Sequence, residues 1–155
     1  MNPFSIVLFE PEIPPNTGNI ARLCAGTDTK LHLIEPLGFS ISDKHLKRAG
    51  LDYWPSVKLS VWKNWQDFMK NVEIGRLVTT SAKRGTSLFK FEFKPGDHLV
   101  FGPETRGLPE WMFKDITHAI NIPTTKQIRS LNLSTSAGII LYQALASLND
   151  DALFE

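Results

Sequence analysis

Short apolar runs alternate with helix-patterned stretches along the whole chain. Ile6 to Phe9 predicts a buried first strand. Pro14 and Pro15 predict an extended loop, after which Asn16 or Thr17 caps a helix running to about Thr27. On that helix Ile20, Leu23, Cys24 and Thr27 share one face. Leu31 to Ile34 reads as a second strand, and Ser42 and Asp43 open a short basic helix that stops at Gly50. Val57 to Val61 predicts a third strand, Trp62 to Val72 a helix, and Arg76 to Thr80 a further strand ahead of the turn-prone Lys83-Arg84-Gly85. Phe89, Phe91 and Phe93 alternate with Lys90, Glu92 and Lys94, the pattern of a half-exposed edge strand or extended segment. Pro95-Gly96 turns into a strand over His98 to Phe101, and Ala119 to Ile122 forms the last strand. A final helix spans about Leu133 to Leu148, with Leu133, Ala137, Ile140, Leu141, Ala144, Leu145 and Leu148 on its buried side.

This alternation argues an α/β fold: a mainly parallel sheet with helices on both faces. A chain of 155 residues makes one domain, 1–155, large enough to bury a core. Hydrophobic content of 42% and charged content of 21% belong to a globular protein. The longest apolar run, Ala137 to Ala146, falls far short of the ~18 residues of a membrane span. The N-terminus lacks the basic start and cleavage site of a signal peptide, so a cytoplasmic protein is expected. Cys24 is the only cysteine, and the four histidines are scattered with no HExxH, so no metal is expected. At a net charge of +1, any basic face for nucleic acid must be local.

Two loops carry the candidate chemistry. GPETRGLP (Gly102 to Pro109) follows one apolar run, and IPTTKQIRSLNLSTSAG (Ile122 to Gly138) follows another and leads into the last helix. Open α/β proteins place ligands in such loops. GPETRG has Walker A glycine spacing, but Leu108-Pro109 stands where Lys-Ser or Lys-Thr must be. GxGxxG and GxSxG are both absent, which removes the Rossmann fingerprint and the nucleophile elbow. A glycine-rich loop can approach a small ligand closely; the same residues also suit a tight strand-to-helix turn.

PEIPPNTGNIARLCAGT (Pro11 to Thr27), FGPETRGLPE (Phe101 to Glu110) and the Ile122 to Gly138 stretch occur in the order and spacing of three motifs. In these the chain resembles the SPOUT superfamily of RNA 2′-O-methyltransferases. Within it the chain is most similar to the small tRNA enzymes that modify the wobble nucleotide, position 34, a cytidine or modified uridine; KRAGLDYW (Lys47 to Trp54) fits that branch too. The resemblance implies a C-terminal trefoil knot, S-adenosylmethionine bent within it, and a homodimer sharing its tRNA site. By position the cofactor neighbours are Thr80, Gly102, Ile122 and Ser130. The run Thr80 to Gly85 departs from the branch's Thr-Thr-Lys-Gly, which leaves Thr80, Ser81 or Ala82 open for the first of these.

Methyl transfer to a ribose hydroxyl needs positioning and stabilisation of a developing alkoxide more than covalent help. Arg22, where the resemblance places the arginine of the first motif, is the first catalytic candidate. A guanidinium is effectively never neutral, so it suits a phosphate clamp or oxyanion stabiliser better than a base; the alternative is a salt bridge to Glu10 or Glu12. Asn132, with Ser130, is the second, either holding ribose or cofactor or capping the last helix. Glu104 and Arg106 pair with each other, or Glu104 orders its loop while Arg106 faces RNA. Lys44, Lys47 and Arg48 form the best local basic cluster, with Lys83, Arg84, Lys126 and Arg129 beside the proposed site. Tyr142 either stacks on a base or packs in a core or dimer interface.

Overall fold

The computed structural model describes every residue except 45, 47, 49–52 and 155. Among the described residues seven strands, β1 (Ser5–Phe9), β2 (Lys30–Ile34), β3 (Leu59–Trp62), β4 (Arg76–Thr80), β5 (Thr86–Ser87), β6 (Asp97–Phe101) and β7 (His118–Asn121), form one sheet in the order β3-β2-β1-β6-β4-β7-β5. Every pairing is parallel. The helices are α1 (Pro14–Thr27), α2 (Trp65–Asn71), α3 (Glu110–Asp115) and α4 (Leu133–Ser147).

Both faces of the sheet are covered, which is why its central strands read as unbroken apolar runs. Alternate residues divide between two cores. Ile6, Leu8, Leu31, Leu33, Leu99 and Phe101 pack with Ile20, Ala21 and Cys24 of α1 and with Ala137, Ile140, Leu141 and Ala144 of α4. Val7, Phe9, Ile34 and Val100 face the other way, against Trp65 and Phe68 of α2 and Met112 of α3. The register Ile6↔Leu31, Leu8↔Leu33, Ile6↔Leu99 and Leu8↔Phe101 keeps like-facing residues level across three strands.

Several boundaries differ from the sequence expectation. Pro14 and Pro15 open α1 instead of forming an extended loop, and Ile13, not Asn16 or Thr17, is its N-cap. A proline in the first turn lacks only an N–H that has no helical partner, and its fixed φ suits the helix. α2 starts at Trp65, where Asn64 accepts a hydrogen bond from the Asp67 amide at 2.8 Å, so β3 extends through Trp62. The phenylalanine alternation makes no strand. The edge strand is only Thr86–Ser87, Phe91 and Phe93 pack on the first core, and Phe89 is exposed. Six-residue α3 was not expected from sequence, because a helix of under two turns shows no period. The predicted basic helix retains helical backbone at Lys44, Leu46 and Arg48, while its expected stop, Gly50, lies outside the described residues.

A buried ion pair ties the N-terminal ends of β4 and β6. Arg76 Nε and Nη2 donate to the two oxygens of Asp97 at 2.6 and 2.7 Å, and the Lys94 amide donates to Oδ2 at 2.9 Å. Asp97 is fully buried. The opposite, C-terminal ends of the strands deliver the loops of interest to one place.

Candidate functional site

A cavity of about 550 Å³ opens at the C-terminal ends of β4, β6 and β7. Residues from three loops line it: 80–84 after β4, 102–108 after β6, and 122–131 ahead of α4. Phe101, Leu108, Ile120, Ile122, Leu133 and Ile140 make apolar walls, and Ser81, Thr124, Ser130 and Ser136 supply hydroxyls. Thus the four sequence-derived cofactor neighbours, Thr80, Gly102, Ile122 and Ser130, come together on one cavity although 50 residues separate the first from the last. Ser81 and Ala82 line it as well. The Thr80 hydroxyl donates to the Val100 carbonyl at 2.9 Å, bridging β4 to β6.

At Gly102 the tight-turn alternative accounts for the glycine. A Cβ there would meet the Leu108 nitrogen at 2.4 Å and the Gly107 carbonyl carbon at 2.5 Å, so the loop requires glycine to close on itself. Gly107, at φ 69°, adopts the left-handed backbone that favours glycine and has open space beside it.

Arg84 spans the cavity wall. Its Nη1 and Nη2 donate to both oxygens of Glu110 at 3.1 and 2.9 Å, and its guanidinium lies 4.4 Å from the centre of the Phe113 ring. The hydrogen bond from Arg84 holds the Glu110 carboxyl below the usual carboxylate range. Arg84 is thus ion-paired to Glu110 at the cavity wall. Arg106 and Arg129 also line the cavity; Lys126 is not in its lining. Lys44 and Arg48 are exposed, and Lys47 lies outside the described residues.

Of the two alternatives for Glu104 and Arg106, their mutual pair does not form, and Glu104 instead holds loop backbone. Arg106 reaches Glu10 at 3.3 Å, while Glu104 accepts from the backbone amides of Glu12 and Ile13. Nor does Arg22 pair with Glu10 or Glu12. It is exposed on α1, with its guanidinium 4.8 Å from the Tyr53 ring centre, and is not in the cavity lining of its own chain. Asn132 caps α4, its Oδ1 accepting from the amides of Ser134 and Thr135 at 2.9 and 3.3 Å, and its Nδ2 donates to Asn16 Oδ1 at 3.1 Å. Tyr142 is 53% exposed on α4, three residues after the also exposed Ile139, so it is no core residue of its own chain.

Sequence reasoning missed Glu12 and Thr105. Nothing in the chain's spacing reveals that residues 93 apart hold each other. Among the described residues no three His, Cys, Asp or Glu side chains are grouped to hold a metal, and no helix is long and apolar enough to cross a membrane.

The sheet is parallel throughout and its cavity lies at the C-terminal ends of the strands, where open α/β folds bind ligands. The chain belongs to the SpoU rRNA Methylase family, whose model matches residues 3–142. It is 50% identical over 143 residues to the tRNA (cytidine(34)-2′-O)-methyltransferase of Methylovorus glucosotrophus, covering 91% of this chain and 93% of that protein. The enzyme of the same name from Escherichia coli (strain K12) is 42% identical over 146 residues, with 93% of each chain covered. A solved structure, described as giving structural insights into the 2-OH methylation of C/U34 on tRNA, superposes with a TM-score of 0.90 at 44% identity, covering 94% of this chain and 96% of that one. The methyltransferase AviRb from Streptomyces viridochromogenes, solved with AdoMet, shares the fold at a TM-score of 0.85 and 24% identity, covering 96% of this chain and 62% of that one.

Proposed function

We propose that this protein methylates the ribose 2′-hydroxyl of the wobble nucleotide of tRNA, position 34, a cytidine or modified uridine, using S-adenosylmethionine in the cytoplasm. The observation that carries the reading is the convergence of Thr80, Gly102, Ile122 and Ser130 on one cavity, in a chain matched over nine-tenths of its length by wobble-nucleotide methyltransferases.

The cavity suits the cofactor. Its apolar walls accept an adenine, its hydroxyls offer partners for ribose oxygens, and Arg129 offers a partner for a carboxylate. When bound, S-adenosylmethionine brings an electrophilic methyl group whose leaving group is a neutral thioether. The chain's own task is to orient the acceptor sugar and to stabilise its oxygen as the proton leaves. Arg22, a permanent cation, takes that role, and Asn132 fixes the geometry where α4 begins.

A homodimer is part of the same reading. Arg22 is outside the cavity lining of its own chain, and Ile139 and Tyr142 leave an apolar strip exposed on α4, the helix packed against α1. A second copy seated there brings an Arg22 to each cavity, with Arg106, Arg129, Lys44, Lys47 and Arg48 as phosphate contacts and Tyr142 at the shared surface. The trefoil knot also belongs to this reading. Its support is that β7 lies between β4 and β5 while residues 122–133 wall the same cavity as the 80–84 and 102–108 loops.

The test is incubation of the protein with methyl-labelled S-adenosylmethionine and, in parallel, total tRNA and ribosomal RNA, followed by mass-spectrometric mapping of the methylated nucleotide. Label on the ribose at position 34 is expected. Label only in ribosomal RNA or on a base, or cofactor binding without transfer, would overturn the assignment.

A further inference from the structure

We propose that Glu12 is a positioning residue for methyl transfer, holding the 102–107 wall of the cavity in fixed register with the start of α1. The inference rests on the reading of that cavity as the cofactor site. Glu12 Oε1 accepts from the Thr105 amide at 2.9 Å and from the Thr105 hydroxyl at 2.7 Å. Glu104, next to Thr105, returns the arrangement: its Oε1 accepts from the Glu12 amide at 3.0 Å and its Oε2 from the Ile13 amide. Each loop thus supplies a carboxylate to the backbone of the other. Charge-assisted bonds of this kind are about twice as strong as neutral ones.

The placement gives the clamp its consequence. Thr105 lines the cavity, whereas Glu12 does not, so Glu12 acts on the ligand only through its partner. Ile13, on the other side, is the N-cap of α1, the helix that bears Arg22. A shift of the 102–107 loop therefore moves this chain's cofactor wall and, through the start of α1, the Arg22 that this chain presents to the partner subunit's cavity. Glu10, in a left-handed bend at φ 50°, adds a third link to the same loop through Arg106 at 3.3 Å. The bonds from Thr105 hold the Glu12 carboxyl below the ordinary carboxylate range.

The experiment compares wild type with E12A, E12Q and E12D. It measures cofactor binding by calorimetry, kcat and tRNA KM, thermal stability, and hydrogen exchange of the Thr105 amide in the cofactor-free protein. E12A is expected to exchange the Thr105 amide at least about 10-fold faster, and to weaken cofactor binding and lower kcat each about 10-fold, with the tRNA KM within about 2-fold. E12Q keeps an oxygen in place for both Thr105 donors and is expected to retain most of the affinity. E12D, a methylene shorter, falls between them and decides the matter if E12A does not fold. A simple staple would lower thermal stability and leave cofactor affinity and kcat of the folded protein unchanged; that result overturns the inference, as does E12Q behaving like E12A. Wild type that binds no cofactor overturns the reading of the cavity itself, a distinct failure.

Discussion

Asn132 donates its side-chain amide to Asn16 Oδ1 at 3.1 Å, joining the cap of α4 to the first turns of α1 across 116 residues of sequence. Its own oxygen is occupied by the amides of Ser134 and Thr135 and by the Ser134 hydroxyl. The orientation of the amide is thereby fixed: oxygen toward the helix, nitrogen toward Asn16. One residue thus serves as helix cap and as the junction between the first and third motifs.

Those two duties separate by substitution. Asn132→Asp keeps the capping oxygen and loses the donor to Asn16, whereas Asn132→Ala loses both. N132A is expected to cost about 1 kcal/mol for the cap, and more for the stranded Asn16. N132D should melt closer to wild type. If Asn132 also serves catalysis, N132D loses methyl transfer far beyond its loss of stability; equal small losses in both assays would confine it to capping.

Arg22→Ala should abolish transfer, with kcat down at least about 100-fold, while cofactor affinity stays within about 2-fold. Titration calorimetry and single-turnover kinetics check this. A collapse of cofactor affinity would place Arg22 on the donor side instead. The exposed position of Arg22 means that thermal stability should hardly change.

Gly102→Ala is expected to eliminate cofactor binding without unfolding the sheet. The added Cβ would sit 2.4 Å from the Leu108 nitrogen, backbone that has no rotamer to escape through. The 102–108 loop must open instead, taking its cavity wall with it. Calorimetry showing wild-type affinity would contradict this account of the turn.

Stability should decline in acid through His32. Burial pushes its imidazole down to about 3, with smaller contributions from the charges of His98 and Lys30. Its Nδ1 accepts from Trp62 Nε1 at 3.0 Å, which fixes the proton of the neutral ring on Nε2. The unfolded chain takes up this proton near pH ~6.5 and the folded one does not until about pH 3, so stability falls as pH drops through that window. The slope from this residue is up to about 1.4 kcal/mol per pH unit. Denaturant unfolding from pH 7 to 4 measures it, and His32→Gln, which retains an acceptor for Trp62, should flatten the curve.

The chain's own pattern already determined every strand but the two-residue β5, the two-sided burial of the sheet and the apolar face of α4. Runs such as Ile6 to Phe9, and repeats such as Ala137, Ile140, Leu141 and Ala144, report burial directly through local period. It also marked the Gly102 to Pro109 and Ile122 to Gly138 loops, because glycine and polar clusters after apolar runs are local signals too. Thr80, Gly102, Ile122 and Ser130 as cofactor neighbours are instead what the family resemblance implies. Tertiary structure alone decided who partners whom. Arg106 turned to Glu10 and Glu104 to the amides of residues 12 and 13, because parallel neighbours β1 and β6 end side by side and bring their loops together. Such pairings depend on strand order, a long-range property that no local period encodes. For the same reason α1 could be read as a helix, while its binding to the far side of the cavity wall through Glu12 could not.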